Sequence, residues 1–308
     1  MAQHSGNRHN KKLLLLLGLP LLMLLIGGTT YAAINLTTSS ASNNQPTPPG
    51  VNIDSAEKGL VGYWPLNGNA KDATPYADNG TFLNGAAYTA DREGQANSAA
   101  RINGNNSYVS IPDKPNLEYT GGNFSVSAWV KPNANVSDNA FIISKPWNSN
   151  GSYNYCIVYY PNGSIALRLD ARSNPYLLNA TTTIPANQWS LVSFTITSSG
   201  AVTIYINGVA SGSGQDTITN WNPISKKQRP LAIGTLYPYG SGWSGNPNFT
   251  FNGSISDVRV YNRAISAAEI KNLYNDYNSQ IQIGGSGQPG SVSLGKGLVA
   301  YLSLQRQR

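Results

Sequence analysis

Few of the residues in this 308-residue chain that could do chemistry sit where chemistry needs them. Both histidines, His4 and His9, precede an apolar run, so everything after it lacks an imidazole for proton transfer or metal binding. A Ser-His-Asp or Cys-His mechanism is thereby excluded. The glutamates Glu57, Glu93, Glu118 and Glu269 are widely separated. Retaining glycosidases need two carboxyls about 5 Å apart, and this spacing supplies no such pair. Glu269 has another use: it follows Ser266 by three residues, the spacing of a capping box at a helix start. Cys156 is the single cysteine and cannot form an internal disulfide. Its alternating surroundings, SYNYCIVYY, make it a small core residue rather than a reactive thiol. No set of residues here performs a reaction, and the expectation is that the protein is not an enzyme.

Contact chemistry is better represented. Trp147, Trp221, Tyr237, Tyr239 and Trp243 fall in turn-like stretches, the last three within LYPYGSGWSGNPNF. Rings carried on loops can stack on the C–H faces of sugars while amides and carboxylates bind the hydroxyls. The same rings could instead pin long loops to the body of the domain. Trp129 and Trp189 lie in strand-like runs and read as packing residues.

The formal charge of +7 rests on 21 basic and 14 acidic residues, and Arg8, Lys11 and Lys12 precede the apolar run. The rest are scattered apart from Lys226-Lys227-Gln228-Arg229, which reads as a solvated loop. A nucleic-acid surface would need a clustered basic stripe. No nucleic-acid partner is expected.

The elements that must position the candidate residues begin after an export segment. A basic start, an apolar stretch over 13–26 and GGTTYAA match a secretory signal, with cleavage after Ala32. Read as uncleaved, 13–33 is long enough to be a membrane anchor. Either way residues 1–33 place the remainder outside the cytoplasm, secreted or held at the cell surface, with the membrane met only through this segment. Residues 34–55, rich in Thr, Ser, Asn and Pro, read as a flexible linker. Residues 279–295, which include GGSGQPGS, read as a second one.

Between the linkers, over 56–278, short alternating runs recur, separated by Gly, Asn and Pro. The clearest are 124–130, 140–144, 155–160, 165–169, 189–197, 202–206 and 231–234. Asn207-Gly208 signals a hairpin, and Asn252-Gly253 a tight turn before a strand over 254–261. In that strand, alternation puts Ser256, Val258 and Val260 on one face, with Ile255, Asp257, Arg259 and Tyr261 opposite. A charged Asp257 there is odd. Ile270, Leu273, Tyr274 and Tyr277 then repeat at helical spacing. Many half-buried strands and one short helix predict an all-β jelly-roll sandwich of two antiparallel sheets. KGLVGYWPL at 58–66 returns as KGLVAYLSL at 296–304, so 296–308 reads as the truncated start of a second repeat, or else as a lone terminal strand.

The motifs GLVGYWPLNGNAKD, the DNGTFLNGAAY turn, the QANSAARINGNNSYVSIP hairpin, FSVSAWVKP, TIYINGVAS and ISDVRVYNRAISAAEIKNLY occur in that order. Together they resemble the laminin G-like, concanavalin A-like lectin/glucanase family in its bacterial cell-surface form. The resemblance implies a sandwich used in adhesins and as an accessory module of carbohydrate-active enzymes. Its catalytic members carry Glu-x-Asp-x-x-Glu on one strand, which this sequence lacks. It also implies one structural Ca2+, with Asp257 as a ligand and Asp72, Asn79 and Gly80 as partners, Asp78 being an alternative donor. Without calcium, Asp257 would pair with Arg259 or Arg263, or face water at a strand edge. The expected function is non-catalytic binding of a glycan or a cell-surface protein. The alternatives are a structural spacer repeat and an accessory domain of a carbohydrate-active enzyme.

Overall fold

The structure is a computed structural model and describes residues 58–134, 139–146, 153–170, 175–216, 229–236 and 249–275, with the backbone of 282–283 and 290–291. They lie in one compact unit, Pro49–Lys296. The readings of 1–33, 34–55 and 296–308 lie outside the described residues. In the stretch read as the 279–295 linker, β16 (Gln282–Ile283) pairs with β17 (Gly290–Ser291).

Two antiparallel sheets face one another. The eight-stranded sheet runs β13 (Val209–Gln215), β12 (Ala201–Ile206), β11 (Ser190–Ile196), β6 (Phe124–Pro132), β15 (Asn252–Tyr261), β4 (Ala99–Asn103) and β3 (Ala87–Thr89), with β1 (Leu60–Trp64) also pairing with β15. The seven-stranded sheet runs β10 (Pro175–Asn179), β9 (Ile165–Asp170), β8 (Tyr153–Tyr159), β7 (Ala140–Pro146), β14 (Leu231–Ile233), β5 (Tyr108–Ile111) and β2 (Thr81–Leu83). Each predicted run is a strand, because apolar residues recurring at about every second position give each strand one face to bury. Phe124, Val126, Ala128 and Val130 of β6 meet Tyr155, Ile157 and Tyr159 of β8 in the core between the sheets. Asn207 and Gly208, at φ 51° and 80°, close the predicted β12–β13 hairpin.

Three local expectations are corrected. Asn252-Gly253 is no turn: both residues lie in β15, paired with Asn103 and Ile102 of β4. A Cβ on Gly253 would come within 2.3 Å of the Lys131 carbonyl oxygen, so glycine serves close backbone approach there. The stretches read as the 78–88 turn and the 95–112 hairpin each link the two sheets, since β2 and β5 are in one and β3 and β4 in the other. The alternation in β15 breaks at Asp257. Ser256 faces Trp129 and Arg259 faces Ser127 on β6, so β15 holds one residue more than its partner. This β-bulge lets Ile255, Val258 and Val260 all reach the core.

The helix α1 (Ala267–Asn275) covers the outer face of the eight-stranded sheet. Ile270 and Leu273 pack there with Trp129, Leu191, Tyr205 and Tyr261, and Tyr274 stacks on Trp129 at 5.6 Å. Trp129 and Trp189 are packing residues as expected, while Tyr277 lies outside the described residues. The capping box forms: Glu269 N–H donates to Ser266 Oγ at 3.2 Å, and Ser266 N–H to Glu269 Oε2 at 2.8 Å. Arg263 donates to both Glu269 oxygens, at 3.0 and 2.6 Å.

The Arg263 bonds, with those from Ser266, bring the Glu269 pKa down to about 2. A carboxylate with a lowered folded pKa stabilises the fold above its unfolded pKa and loses that contribution as pH falls through the folded value. Glu269→Gln should therefore lower the melting temperature at pH 7 by a few degrees, corresponding to about 1 kcal/mol for a cap. The gap between wild type and variant should narrow in thermal melts from pH 5 down toward pH 2.

Candidate functional site

Three polar or aromatic constellations stand on this scaffold. The first is the loop after β1. Asp72 is buried, and its Oδ1 accepts from the backbone N–H groups of Tyr63 and Thr74, both at 2.9 Å. Its Oδ2 accepts from the Thr74 hydroxyl at 2.8 Å and Asp78 N–H at 3.0 Å. The Asn79 side-chain oxygen accepts from Asp72 N–H at 3.0 Å, and Gly80 N–H donates to the Ala70 carbonyl at 2.7 Å. Asp78 accepts from the Asn116 amide at 2.8 Å, lies 3.6 Å from Lys114 Nζ, and offers its carbonyl to the fully buried Trp64 indole at 2.9 Å. These short polar side chains replace a ladder where the chain turns away from the sheet.

The second constellation is the buried pair network at the β15 bulge. Asp257 sits at φ 52°, a left-handed conformation that Asp tolerates better than most residues. Its carboxylate, fully buried, accepts from Tyr63 Oη at 2.8 Å and Arg92 Nη1 at 3.0 Å, with Arg259 Nη2 at 3.7 Å. Arg92 lies over the Trp129 ring at 4.4 Å and Arg259 over Tyr63 at 4.2 Å. Of the two pairings expected without calcium, Arg259 is present, while Arg263 serves Glu269 instead. Arg92, not anticipated from the sequence, is the nearer partner; nothing local marks it, because it lies 165 residues away along the chain.

The calcium set can be tested against this geometry. Calcium needs several acceptor oxygens aimed at one point. Here the Asp72 oxygens already accept from N–H and O–H donors, and Asp257 already faces two guanidinium groups. Among the described residues no group of three or more His, Cys, Asp or Glu is placed to hold a metal. The residues do not fit a calcium ion as arranged.

The third constellation is the outer face of the seven-stranded sheet. Small residues Cys156, Ser144 and Ala232 stand side by side on β8, β7 and β14. Phe141, Val158 and Leu236 form an apolar layer with Cys156, and Tyr153, Tyr160 and Phe249 pack against it. Phe141 lies 5.9 Å from both the Tyr153 and Phe249 rings. Cys156 is buried as expected, but beneath this outer layer rather than between the sheets. Arg168 of β9 stands opposite Cys156 at the margin and donates from Nη2 to Tyr160 Oη at 3.0 Å. Trp147, Trp221, Tyr237, Tyr239 and Trp243 lie outside the described residues. The segments holding them, 147–152, 217–228 and 237–248, all enter or leave strands of this sheet or the Leu236 and Phe249 flanks of its apolar layer. The sequence singled out those five rings and not Phe141, Tyr153 or Arg168, whose alternation gives no hint of which face looks outward.

Removing Arg92 would leave a buried carboxylate short of its nearest cation, a loss of about 3–5 kcal/mol. Arg92→Ala should thus depress the melting temperature by roughly 10 °C. Asp257→Ala should cost more, because alanine also resists the left-handed backbone by about 1–2 kcal/mol. Adding calcium or EDTA should leave the wild-type melt in place, and an upward shift with calcium would show that the ion displaces the arginines.

Comparison with known proteins agrees with the two-sheet architecture. The model of the family described as the concanavalin A-like lectin/glucanases superfamily, Laminin_G_3, matches residues 103–271. Domain 4 of AbnA, a GH43 extracellular arabinanase from Geobacillus stearothermophilus, in complex with arabinotriose, is similar at 24% identity and a TM-score of 0.53. That match covers 70% of this chain and 98% of the domain. The binding domain of Paraclostridial Mosquitocidal Protein 1 is similar at 20% identity and TM-score 0.58, covering 73% of this chain and 54% of that one. The receptor binding domain of botulinum neurotoxin D is similar at 16% identity and TM-score 0.57, covering 73% and 55%. At these identities the likeness is one of fold, and this chain spans about half of each toxin domain. With more than half of its length matched by the family model, the chain belongs to the Laminin_G_3 family of the concanavalin A-like lectin/glucanases superfamily.

Proposed function

We propose that the sandwich is a non-catalytic, extracellular glycan-binding module, secreted or held at the cell surface by its N-terminal segment. The observation that carries this reading is the aromatic cluster on the outer face of the seven-stranded sheet, where half-buried Tyr153, Tyr160 and Phe249 pack over buried Phe141. Half-buried rings with a guanidinium beside them offer partial apolar surface for sugar C–H faces next to a polar group for hydroxyls. The three segments carrying Trp147, Trp221, Tyr237, Tyr239 and Trp243 adjoin this layer in the chain and would supply further stacking surface. The opposite outer face is covered by α1, which leaves it no comparable ring surface at that place.

Support comes also from the arabinanase domain, whose structure is in complex with arabinotriose and which is matched over nearly its full length. It favours a role as the accessory module of a carbohydrate-active protein over that of a spacer without ligand. The sequence argues against catalysis, because the exported part has no histidine and no close pair of glutamates.

A glycan array probed with the 56–278 domain tests the reading. Binding to at least one glycan class is expected, weakened about tenfold or more by Trp147→Ala, Trp221→Ala or Trp243→Ala, since one stacked ring contributes on the order of 1–2 kcal/mol. The variants should melt with the wild type. An array with no signal above background for any glycan would favour the spacer reading.

A further inference from the structure

We propose, resting on the glycan-binding reading above, that the outer face of the seven-stranded sheet selects an acidic sugar and that Arg168 receives its carboxylate. Several arginines and lysines built into this sandwich already face carboxylates. Arg92 and Arg259 face Asp257, Arg263 faces Glu269, and Lys145 faces Asp113 and Glu118. Arg168 differs. Its hydrogen bond is to the Tyr160 hydroxyl beside the ring layer, and its Nε, like that of Arg229, is buried with no hydrogen-bond acceptor among the described residues. A half-buried guanidinium has lost hydration that an oxyanion would restore, and its planar fork matches a carboxylate in two-point geometry.

Its surroundings have the shape the task requires. Arg168 stands between Cys156 of β8 and Leu177 of β10 in the cross-strand row. Leu177 is 47% exposed, so the apolar row continues past Arg168 to open surface. On the other side Tyr153 and Tyr160, both partly buried, close the ring layer. A pyranose lying against those rings would bring a substituent on its edge to the guanidinium. Burial alone would lower the Arg168 pKa, but the Tyr160 hydrogen bond together with charge interactions with Tyr160, Cys156 and Tyr153 raises it on balance, so the charge persists at every working pH. A carboxylate on the sugar can come from a uronic acid or from a sialic acid; both present the same group to the arginine.

The test measures binding of the 56–278 domain to four probes: polygalacturonate, the same polymer after carboxyl reduction, sialyllactose, and arabinotriose as neutral control. Binding to polygalacturonate or sialyllactose is expected, and which of the two binds identifies the source of the acid. Carboxyl reduction should weaken polygalacturonate binding, and Arg168→Gln should weaken binding of the acidic probe about 10- to 100-fold, as for charge-assisted hydrogen bonds. Arg168→Lys, which keeps the charge without the fork, should fall between them. Melting curves establish that the variants are folded, and the reduced polymer tests the claim without any substitution. Equal binding of native and reduced polymer, or of arabinotriose in preference to both acidic probes, would overturn the carboxylate assignment while leaving glycan binding intact. No binding to any of the four, together with a blank glycan array, would overturn both.

Discussion

The sandwich depends on β15 being paired along both edges. Over Asn252–Tyr261 it hydrogen-bonds β6 on one side, and on the other first β4 and then β1. One strand thus joins the first, the early and the middle parts of the chain into a single sheet. A strand paired on both sides cannot accept an extra residue cheaply, yet β15 does so at Asp257. The structure holds that residue in place with a carboxylate that reaches Tyr63 on β1, Arg92 from the loop between β3 and β4, and Arg259 two residues on. The bulge and the ion network are one device. The left-handed backbone aims the carboxylate at cations from other segments, and the cations fix the backbone.

That device also divides the molecule into two unlike faces. Beyond the bulge, the outward residues of β15 are Arg259 and Tyr261, and α1 closes over Tyr261 with Ile265, Ile270 and Leu273. The outer face of the eight-stranded sheet is thus committed to packing and to internal ion pairs. The seven-stranded sheet has no described helix over it and carries a small buried cluster of Phe141, Cys156, Val158 and Leu236 edged by partly buried rings. The proposed binding face is this one because half-buried Tyr153, Tyr160 and Phe249 lie there beside Arg168, which bonds a tyrosine hydroxyl where Arg92 and Arg263 face carboxylates.

Much of the strand framework was legible in sequence. The runs in β6, β8, β9, β11 and β12 read correctly because strict two-residue alternation has no other stable reading in a half-buried strand. The helix was legible from Ser266, Glu269 and the spacing of Ile270 and Leu273, all local signals. Short edge strands such as β2 and β3 escaped detection, being three residues each and largely exposed or half-exposed. Asn252-Gly253 misled, because the dipeptide that favours a hairpin turn serves equally where a neighbouring carbonyl approaches too closely for a Cβ.

By itself, then, the sequence determined the class of fold and the short helix over Ala267–Asn275, since composition and short-range period fix those. Only the tertiary structure decided that Ile255 and Val258 share a face, that Asp257 is matched by Arg92, and that Tyr153, Phe141 and Arg168 meet on one outer surface. Each of these depends on which strands lie side by side. Strand order is set by burial summed over the whole chain, and no window of neighbouring residues contains it.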